Sequence, residues 1–568
     1  MKLFRKIQKW FENQENLYYL FLIILIVPNI VLCFTEPMPL VAKVCNVLLP
    51  FSIYHMIMSW SGNCGKTFWI LFPFLFFGAF QIVLLYLFGQ SVIAVDMFLN
   101  LVTTNPGEAL ELLDNLIPAI IIVVLLYIPA LVLAAVAVSE KRRLSETFVC
   151  RERKRARITV IAGILSLVAA YLFDARYELK SDLYPANVCY NIALAFQRTA
   201  QTQHYAETSK DFTFQAKTTR PEKNREVYVM VIGETSRAAN WSIYGYNRNT
   251  NPELTKIKGL TAFSHVLTES NTTHKSVPML MSSVTAHDFN SIYRQKGIIT
   301  AFKEAGYRTA FFSNQRYNHS FIDFFGKEAD ICDFIKEDTG DGSYNPSDDE
   351  LLKLVAAELA ENASKQFIVL HTYGSHFNYR ERYPADNAFF LPDFPVDAEL
   401  KYKDNLINAY DNSIRYTDNF LARLIRMLQE QDIDAAMLYT SDHGEDIFDD
   451  DRHLFLHASP VPSYYQIHVP FLVWMSDNYR KNYPDFLKNA EINRQKNISS
   501  SASFFQTMLE LGGIDTPSRN DSLSVINASY TEKNRVYLND HNEARSLNDI
   551  GMREEDFTML QTKGIVYR

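Results

Sequence analysis

The 568-residue chain is poor in cysteine and has no large excess of either charge. Of its six cysteines, only Cys189 and Cys332 follow the last long apolar run, so no disulfide framework can be read from the sequence. The formal net charge of -8 provides no global basic surface of the kind that nucleic-acid-binding proteins use against phosphates. Apolar residues make up 48% and charged residues 21%, which excludes disorder as the main state. We therefore expect a folded protein with no nucleic-acid partner.

Five long apolar runs occupy the first third of the sequence. Each has roughly 16 to 23 residues, about the length that crosses a 30 Å hydrocarbon layer. One such run could be a signal peptide or a core helix, but five in succession favour a membrane domain. We predict a transmembrane domain over 1–173, with five helices at 17–34, 39–60, 68–89, 117–138 and 158–173.

Lysine and arginine near these runs indicate the orientation of the chain. They precede the first run, and eight of them lie in 141–157, between the fourth and fifth runs. The positive-inside rule predicts that both segments are cytoplasmic. The loop 90–116 has four acidic residues and no lysine or arginine, which agrees with the alternation. Everything after Phe173 is then predicted to lie outside the cytoplasm.

The sequence after Phe173 divides into a polar segment and a long region of alternating elements. We expect 174–225 to form interfacial helices and a linker, in which Tyr177, Tyr184 and Tyr190 suit the membrane interface. In 226–568, short β-rich runs alternate with helical stretches, a pattern typical of a mostly parallel sheet covered on both faces. Strands are predicted at 227–232, 309–313, 367–370, 435–439 and 470–474, and helices at 351–361 and 404–429.

Two of the predicted strands end in unusual polar motifs. One continues into Gly233-Glu234-Thr235-Ser236-Arg237, the other into Thr440-Ser441-Asp442-His443-Gly444-Glu445-Asp446. In open α/β sheets, ligands gather beyond the carboxyl ends of the strands, so Glu234, Asp442 and His443 form a candidate zinc set. A carboxylate after a strand is also commonly an N-cap or a solvated loop residue, and the sequence leaves this alternative open.

Two further segments carry candidate catalytic groups. His376 lies in a Gly-Ser turn, where it is either a site residue or an ordinary surface histidine. The segment Asn271-Thr272-Thr273-His274-Lys275-Ser276 is either a simple helix start or the position of a nucleophile. A hydroxyl at a helix N-terminus near a divalent metal can ionise and attack while backbone N–H groups hold the developing oxyanion. In combination, the motifs indicate a phosphoryl- or sulfuryl-transfer site.

The chain resembles the bacterial phosphoethanolamine transferases of the alkaline-phosphatase/sulfatase superfamily, which modify lipid A or the lipopolysaccharide core and include the mobile colistin-resistance enzymes. The resemblance extends over almost the whole chain. It is carried by the five spans, by the motifs at Glu234 and Asp442, and by Thr273-x-x-Ser276-Val277-Pro278, Leu370-His371-x-x-Gly374-Ser375-His376 and Tyr410-Asp411-Asn412-Ser413.

This resemblance implies a fold, a cofactor and partners. The fold is an alkaline-phosphatase-like catalytic domain at 226–568, exported to the periplasm by a multi-pass protein of the bacterial inner membrane. The cofactor is zinc, with one tight site and room for a second. The donor is phosphatidylethanolamine, and the acceptor is lipid A or lipopolysaccharide.

The resemblance also implies roles for individual residues. It makes Thr273 the nucleophile that becomes phosphoethanolaminylated. The implied zinc ligands are Glu234, Thr273, Asp442 and His443. The positions that handle the phosphate, the leaving group or a second metal are matched by His376 and His457. The loop residues that help to bind lipid are matched by Asn100, Thr104 and Glu108, whose spacing of four would place them on one face of a helix.

The sequence departs from the family pattern in two respects. Family members often carry several disulfides around the active site, which two cysteines in separate segments cannot reproduce. The segment Ser313-Asn314-Gln315 is not followed by the lysine, four residues beyond an asparagine, that lipid A-modifying relatives present. The acceptor and the ethanolamine subsite therefore stay unassigned.

Three alternatives share parts of the pattern. A sulfatase would need an arginine in a Cys/Ser-x-Pro-x-Arg motif, which Ser276-Val277-Pro278-Met279-Leu280 lacks. A phosphoglycerol transferase of the lipoteichoic acid synthase type also combines five spans with a threonine nucleophile. A non-catalytic membrane receptor could retain the fold, and zinc content would separate it from the enzymes.

Overall fold

The computed structural model describes residues 9–36, 38–88, 92–98, 106–221, 225–336 and 345–567, without the side chains of 87, 88 and 106–115. The chain forms two compact units, one within 1–197 and one that contains 198–568. The division falls inside the helix Ala186–Gln203. This position lies in the segment 174–225, where interfacial helices and a linker are expected; the three-part domain division stays a prediction.

The first unit consists of apolar helices. Among the described residues, four of these helices are long and apolar enough to cross a membrane, and a pair bent by 61° makes a fifth span if it is counted as one. The membrane domain is thus confirmed with four to five spans. Its helices are α1 Gln14–Thr35, α2 Leu40–Met58, the bent pair α3 Cys64–Ile70 and α4 Phe72–Phe88, α5 Pro106–Ser139 and α6 Glu146–Phe173.

The predicted span 158–173 is only the second half of α6. The helix begins at Glu146, where the Ser145 hydroxyl accepts a hydrogen bond from the backbone N–H of Phe148. Within its basic half, the buried carboxylate of Glu152 lies 3.0 Å from Arg151 and 2.9 Å from Arg155. Pairing between neighbouring residues stabilises a charged helical segment, which hydropathy alone does not reveal.

The segment after α6 contains helices, and two of its tyrosines contradict the expectation from the sequence. Tyr177 and Tyr184 are buried, and their hydroxyls donate to Asn46 Oδ1 at 2.8 Å and to the Phe74 carbonyl at 2.9 Å. The prediction that they lie half-wet at the membrane interface is therefore wrong, whereas Tyr190 is exposed. The helices of this segment are Leu179–Asp182, α7 Ala186–Gln203 and Tyr205–Thr208.

A seven-stranded sheet forms the centre of the second unit. Its strands are β1 Glu226–Gly233, β2 Leu260–Phe263, β3 Arg308–Ser313, β4 Ile331–Phe334, β5 Lys365–His371, β6 Asp434–Ser441 and β7 Phe471–Met475. They are ordered β2-β7-β6-β1-β5-β3-β4. β1, β3, β4, β5 and β6 run in parallel, and β7 is antiparallel to β6 and β2. This confirms the mostly parallel sheet; the sequence analysis missed β2 and β4.

Every residue of β1 is buried, because helices cover both faces of the sheet. Tyr228, Met230 and Ile232 pack into one apolar cluster with α8, α9, α10 and α14, and the alternate residues Val227, Val229 and Val231 pack into another with α11 and α12. The helices are α8 Thr273–Leu280, α9 Ile298–Glu304, α10 Phe321–Gly326, α11 Asp349–Ala360, α12 Lys403–Gln429, α13 Pro484–Asn493, α14 Ser500–Leu511 and α15 Glu554–Thr562.

Shorter elements complete the second unit. Two single-turn helices are Tyr464–Ile467 and Asp477–Asn482. Four two-stranded pairs are Lys217–Thr218 with Ile514–Asp515, Asp446–Ile447 with Phe455–Leu456, Val266–Leu267 with Ile498–Ser499, and Val536–Leu538 with Ala544–Ser546.

Candidate active site

The register of the sheet brings the two polar motifs together. β1 pairs in parallel with β6, and Gly233 lies opposite Ser441. The next residues along the two strands, Glu234 and Asp442, therefore leave the sheet side by side at its carboxyl edge. Ligand atoms of Glu234, Asp442 and His443 lie within 4.8 Å of one another, and all three side chains are buried.

Thr273 is the first residue of α8 and faces this cluster. Its Oγ1 lies 3.1 Å from Nε2 of His443, and 3.3 and 3.5 Å from the two carboxylate oxygens of Glu234. The first turn of a helix presents backbone N–H groups without intrahelical partners and the positive end of the helix dipole. The Thr273 hydroxyl thus lies among metal-ligating groups at a position that favours negative charge.

Hydrogen bonds orient Asp442 and His443 towards the same point. Asp442 Oδ1 accepts from the backbone N–H groups of Thr235 and His443 at 3.0 and 2.7 Å. Asp442 Oδ2 is buried, lies 3.2 Å from Nε2 of His443, and has no hydrogen-bond partner among the described residues. His443 Nδ1 donates to the Gly444 carbonyl at 3.0 Å, which leaves the Nε2 lone pair directed into the site.

Glu234 is fixed by the tight turn that follows β1. Its Oε1 accepts from the Thr235 hydroxyl at 2.7 Å, and its Oε2 accepts from Gln315 Nε2 at 2.9 Å. Thr235 itself has a positive φ of 58°. Gly374 approaches so closely that a Cβ there would lie 2.6 Å from the Glu234 carbonyl oxygen, and its φ is +50°. Only glycine fits this position without a shift of the backbone.

The electrostatics of the cluster suit a divalent cation. Burial and the charge of Asp442 raise the pKa of Glu234 to about 7, and burial raises the pKa of Asp442 to about 6. Burial and the neighbouring His457 lower the pKa of His443 to about 3, so this imidazole is neutral. Two carboxylates, a neutral imidazole and a hydroxyl are oxygen and nitrogen donors of the kind that zinc accepts. The orphaned Asp442 Oδ2 lacks only a positive partner, so these residues fit the metal.

Two further histidines lie next to this cluster. The ring centroid of His457 is 4.1 Å from that of His443 and 6.0 Å from that of His376. His376 Nδ1 donates to the Phe377 carbonyl at 2.6 Å, and burial places the pKa of His376 well below its ordinary value. The structure thus assembles His376 and His457 with Thr273 and the three residues around it at one edge of the sheet.

Sequence reasoning missed Glu445 as a site residue. Its buried carboxylate accepts from Nδ1 of His457 at 2.9 Å and from the Tyr379 hydroxyl. Burial of His457 disfavours its charged form, but the hydrogen bond and the charge of Glu445 outweigh burial and raise the pKa of His457. Glu445 thereby fixes the orientation of the imidazole, with Nδ1 towards Glu445 and Nε2 pointing away from it. The signal for Glu445 was its place in the Asp-His-Gly-Glu motif.

Gln315 was also missed. It donates from Nε2 to Glu234 and, at 3.0 Å, to the Thr372 carbonyl, so it links the ends of β1, β3 and β5. Its signal was the position two residues after a predicted strand. The predicted lipid-binding loop cannot be compared in this way. Asn100 and Thr104 lie outside the described residues, and Glu108 lies in α5 with its side chain outside the description.

The candidate site lies within a part of the chain that matches a known protein family. A protein-family model described as Sulfatase matches residues 226–514. The chain is 32% identical over 304 residues to the Kdo(2)-lipid A phosphoethanolamine 7''-transferase of Escherichia coli strain K12, a match that covers 51% of each chain. The chain thus spans about half the length of the curated relatives it matches.

Two solved structures have a similar fold. One is the integral membrane lipooligosaccharide phosphoethanolamine transferase A (EptA) of Neisseria meningitidis, with a TM-score of 0.72 and 20% identity over 90% of this chain and 98% of that one. The other is the C-terminal periplasmic domain of Escherichia coli EptC in complex with zinc, with a TM-score of 0.54 and 24% identity over 59% of this chain and 98% of that one. Since the sulfatase model covers half of the sequence, including the candidate site, the chain belongs to the sulfatase family and is similar to its phosphoethanolamine transferases.

Proposed function

We propose that the protein transfers phosphoethanolamine from phosphatidylethanolamine to an envelope glycolipid, either lipid A or the lipopolysaccharide core. One observation carries the proposal: the Thr273 hydroxyl, at the start of α8, lies 3.1 to 3.5 Å from donor atoms of Glu234 and His443. The names of the relatives supply the substrate class, because they include a lipid A phosphoethanolamine transferase.

The proposal includes a zinc site. Glu234, Asp442, His443 and the Thr273 oxygen would hold the ion. When bound, zinc lowers the pKa of a neighbouring hydroxyl and offsets negative charge on a transferring phosphoryl group. A second ion near His376 and His457 is part of the same proposal.

The chain's own residues perform the first half of the reaction. The Thr273 hydroxyl releases its proton to water, and its Oγ1 attacks the donor phosphorus. A bond forms between this oxygen and phosphorus, and the bond from phosphorus to the diacylglycerol oxygen breaks. The backbone N–H groups of α8 stabilise the developing charge on the phosphoryl oxygens. His457, oriented by Glu445, gives a proton to the departing diacylglycerol oxygen.

The second half reverses these roles. An acceptor hydroxyl or phosphate attacks the phosphorus on Thr273, and the bond from Thr273 Oγ1 to phosphorus breaks. Neutral His457 removes the proton of an acceptor hydroxyl and is thereby recharged for the next cycle, and the Thr273 oxygen takes a proton from water. His376 contacts the phosphoryl group or the leaving group. The protein therefore follows a ping-pong scheme with a covalent phosphothreonine.

The proposed location is the bacterial inner membrane, with the catalytic domain 226–568 in the periplasm. The four to five apolar helices support it, as does the likeness in fold to an integral membrane protein of Neisseria meningitidis. Asn100, Thr104 and Glu108 remain predicted donor-binding residues. If Glu108 binds the ethanolamine ammonium, Glu108→Gln will weaken use of membrane-embedded donor, as a donor titration measures.

Three other functions fit less well. A sulfatase would carry an arginine two residues after the proline of its nucleophile motif, and this chain has Leu280 at that position. A phosphoglycerol transferase would use the same threonine with phosphatidylglycerol, and so makes a different covalent adduct. A receptor without catalysis would form neither adduct.

The deciding experiment is mass spectrometry of the full-length protein in phosphatidylethanolamine vesicles. We expect a phosphoethanolamine adduct that peptide mapping assigns to Thr273. Thr273→Ala should abolish it, whereas Thr272→Ala is the matched control and should retain it, because Thr272 Oγ1 contacts Ser270 rather than the metal-ligating cluster. An adduct that persists in Thr273→Ala would contradict the proposal. Parallel vesicles of phosphatidylglycerol test the phosphoglycerol transferase, and an adduct formed only in those vesicles would establish that alternative.

A further inference from the structure

The segment 389–396, here named the apolar loop, displays large apolar side chains to solvent. Phe389, Leu391 and Phe394 are 58%, 66% and 70% exposed. Within the described part of the second unit, six large apolar side chains are exposed, and four of them lie in 389–400. The other two, Ile492 and Val566, are isolated in sequence. Single exposed apolar residues are ordinary, but a cluster marks an interaction surface.

The backbone of the apolar loop is held in place by one face of α12. Asn412 Oδ1 accepts from the backbone N–H groups of Phe389 and Phe390 at 2.9 and 2.8 Å. Nδ2 of Asn408 donates to the Pro392 carbonyl at 2.8 Å, and Nδ2 of Asn405 donates to the Pro395 carbonyl at 3.2 Å. Residues three and four apart share one face of a helix, so these three asparagines form a single row. The exposed side chains are therefore presented on a fixed backbone.

The apolar loop buries its charged side chain and exposes its large apolar ones. Asp393 is buried, and its carboxylate accepts from the Tyr383 hydroxyl at 2.8 Å and from Arg380 Nε at 3.0 Å. Its neighbours on either side in sequence are the proline after Leu391 and the exposed Phe394. The one charged side chain of 389–396 is thus held inside and paired, while large apolar side chains face outward.

Cationic groups lie at the edge of the apolar loop. The guanidinium of Arg415 lies 4.1 Å from the ring centroid of Phe389, and that of Arg248 lies 3.9 Å from the ring centroid of Phe390. Aromatic and aliphatic side chains bordered by arginine are typical of segments that enter the boundary between lipid headgroups and acyl chains. The rings would enter the apolar layer and the guanidinium of Arg415 would meet lipid phosphates, whereas that of Arg248 is paired with Asp411 at 2.7 Å.

The size of the patch favours lipid over a protein partner. Three side chains at this exposure present on the order of 400 Å² of apolar surface. A stable protein interface buries about 800 Å² on each partner. A bilayer requires no such minimum, and the same chain carries helices of membrane-spanning length. From the patch, its fixed backbone and its cationic border, we propose that the apolar loop inserts into the lipid surface of the bilayer.

This inference rests on the proposed function and adds to it how the donor headgroup reaches the site. The apolar loop follows the turn Tyr379–Arg382, and the Tyr379 hydroxyl donates to Glu445, which in turn holds His457. The backbone between Tyr379 and the apolar loop, together with these two hydrogen bonds, therefore connects the inserted side chains with the catalytic edge of the sheet. Insertion would hold that edge at a fixed height above the bilayer.

Fluorescence quenching tests the insertion itself. Full-length Phe394→Trp is placed in nanodiscs of phosphatidylethanolamine and brominated phosphatidylcholine, and the parent spectrum is subtracted. The matched control is Ile492→Trp, at a position in the same unit that is 62% exposed. We expect at least twofold quenching of the tryptophan at 394 and none at 492. Equal emission from 394 with and without bromine, or equal quenching at both positions, would overturn the inference.

Kinetics test its consequence for the donor. In the variant Phe389→Ser/Leu391→Ser/Phe394→Ser, the half-saturating concentration of bilayer donor should rise about tenfold, while turnover of a soluble short-chain donor stays within twofold. Equal loss with both donors, loss with neither, or a change in oligomeric state would overturn the inference. A wild-type protein that reacts with neither donor would instead refute the proposed function, and the quenching result would still decide the insertion.

Discussion

Strand β1 has a buried carboxylate at each end, and the two ends are built differently. At the amino end, Glu226 lies 3.6 Å from Lys365 Nζ and accepts hydrogen bonds from Tyr228 and Tyr307 at 2.7 and 3.2 Å. At the carboxyl end, Glu234 faces a second carboxylate, that of Asp442, and a neutral imidazole.

This difference indicates a structural role for the carboxylate of Glu226 and a functional role for that of Glu234. The amino end balances its negative charge with a lysine of the chain, which is the usual arrangement for a buried carboxylate. The carboxyl end gathers like charges, and within the described part of the chain the ion pairs of Glu234 and Asp442 are both with the neutral His443. We infer that the carboxyl end is balanced by a bound cation, whereas the amino end needs none.

The largest expected effect is that of His443→Ala. Loss of the ligand nitrogen should lower transfer activity roughly a thousandfold, equivalent to about 4 kcal/mol of transition-state stabilisation. His468→Gln is the control, since this buried histidine contacts Tyr464 and the Ser264 carbonyl. Product formation from labelled donor measures both. If His443→Ala retained near wild-type turnover, the carboxyl end of β1 would not be the catalytic end.

A smaller effect is expected for Glu445→Gln, because Glu445 acts through His457. Weaker orientation of the imidazole should lower kcat by roughly ten- to a hundredfold with little change in KM. Zinc content should stay at the wild-type level. The loss should shrink with a nitrophenyl phosphodiester, whose leaving group needs no proton. An equal loss with both leaving groups would assign Glu445 a purely structural role.

At the amino end, Glu226→Gln should affect stability rather than chemistry. The substitution leaves Lys365 buried without its negative partner, which costs about 3 kcal/mol and lowers the melting temperature by several degrees. Zinc content and kcat should not change. Adding Lys365→Met should recover part of the loss. A fall in zinc content of Glu226→Gln would remove the distinction between the two ends.

The smallest effect concerns pH and a third buried carboxyl group. Burial and the charge of Asp288 raise the pKa of Glu269 to about 8, and the Ser501 hydroxyl donates to its carboxyl group. The unfolded chain releases this proton near pH 4.5, so stability that is present below that pH is lost as the pH rises towards 8. Glu269→Gln should therefore raise the melting temperature relative to wild type more at pH 8 than at pH 5. A constant difference would show that Glu269 ionises normally.

Much of this organisation follows from the sequence because it depends on local patterns. Alternating β-rich and helical runs predicted the parallel strands, and polar residues directly after them, such as Glu234 and Asp442, are brought together by strand register. Gln315 and Glu445 were missed because their roles depend on distant partners, Glu234 and His457. The burial of Tyr177 has the same cause, since its partner Asn46 is far away in the sequence.

Zinc content of two isosteric variants tests the central claim most directly. Full-length Glu234→Gln and Glu226→Gln differ only in which end of β1 loses its charge. After exchange against a weak chelator, zinc per chain is measured by plasma emission. The account predicts wild-type zinc in Glu226→Gln and loss of most zinc in Glu234→Gln, because a neutral amide is a poor ligand. Equal zinc in wild type and both variants would contradict it.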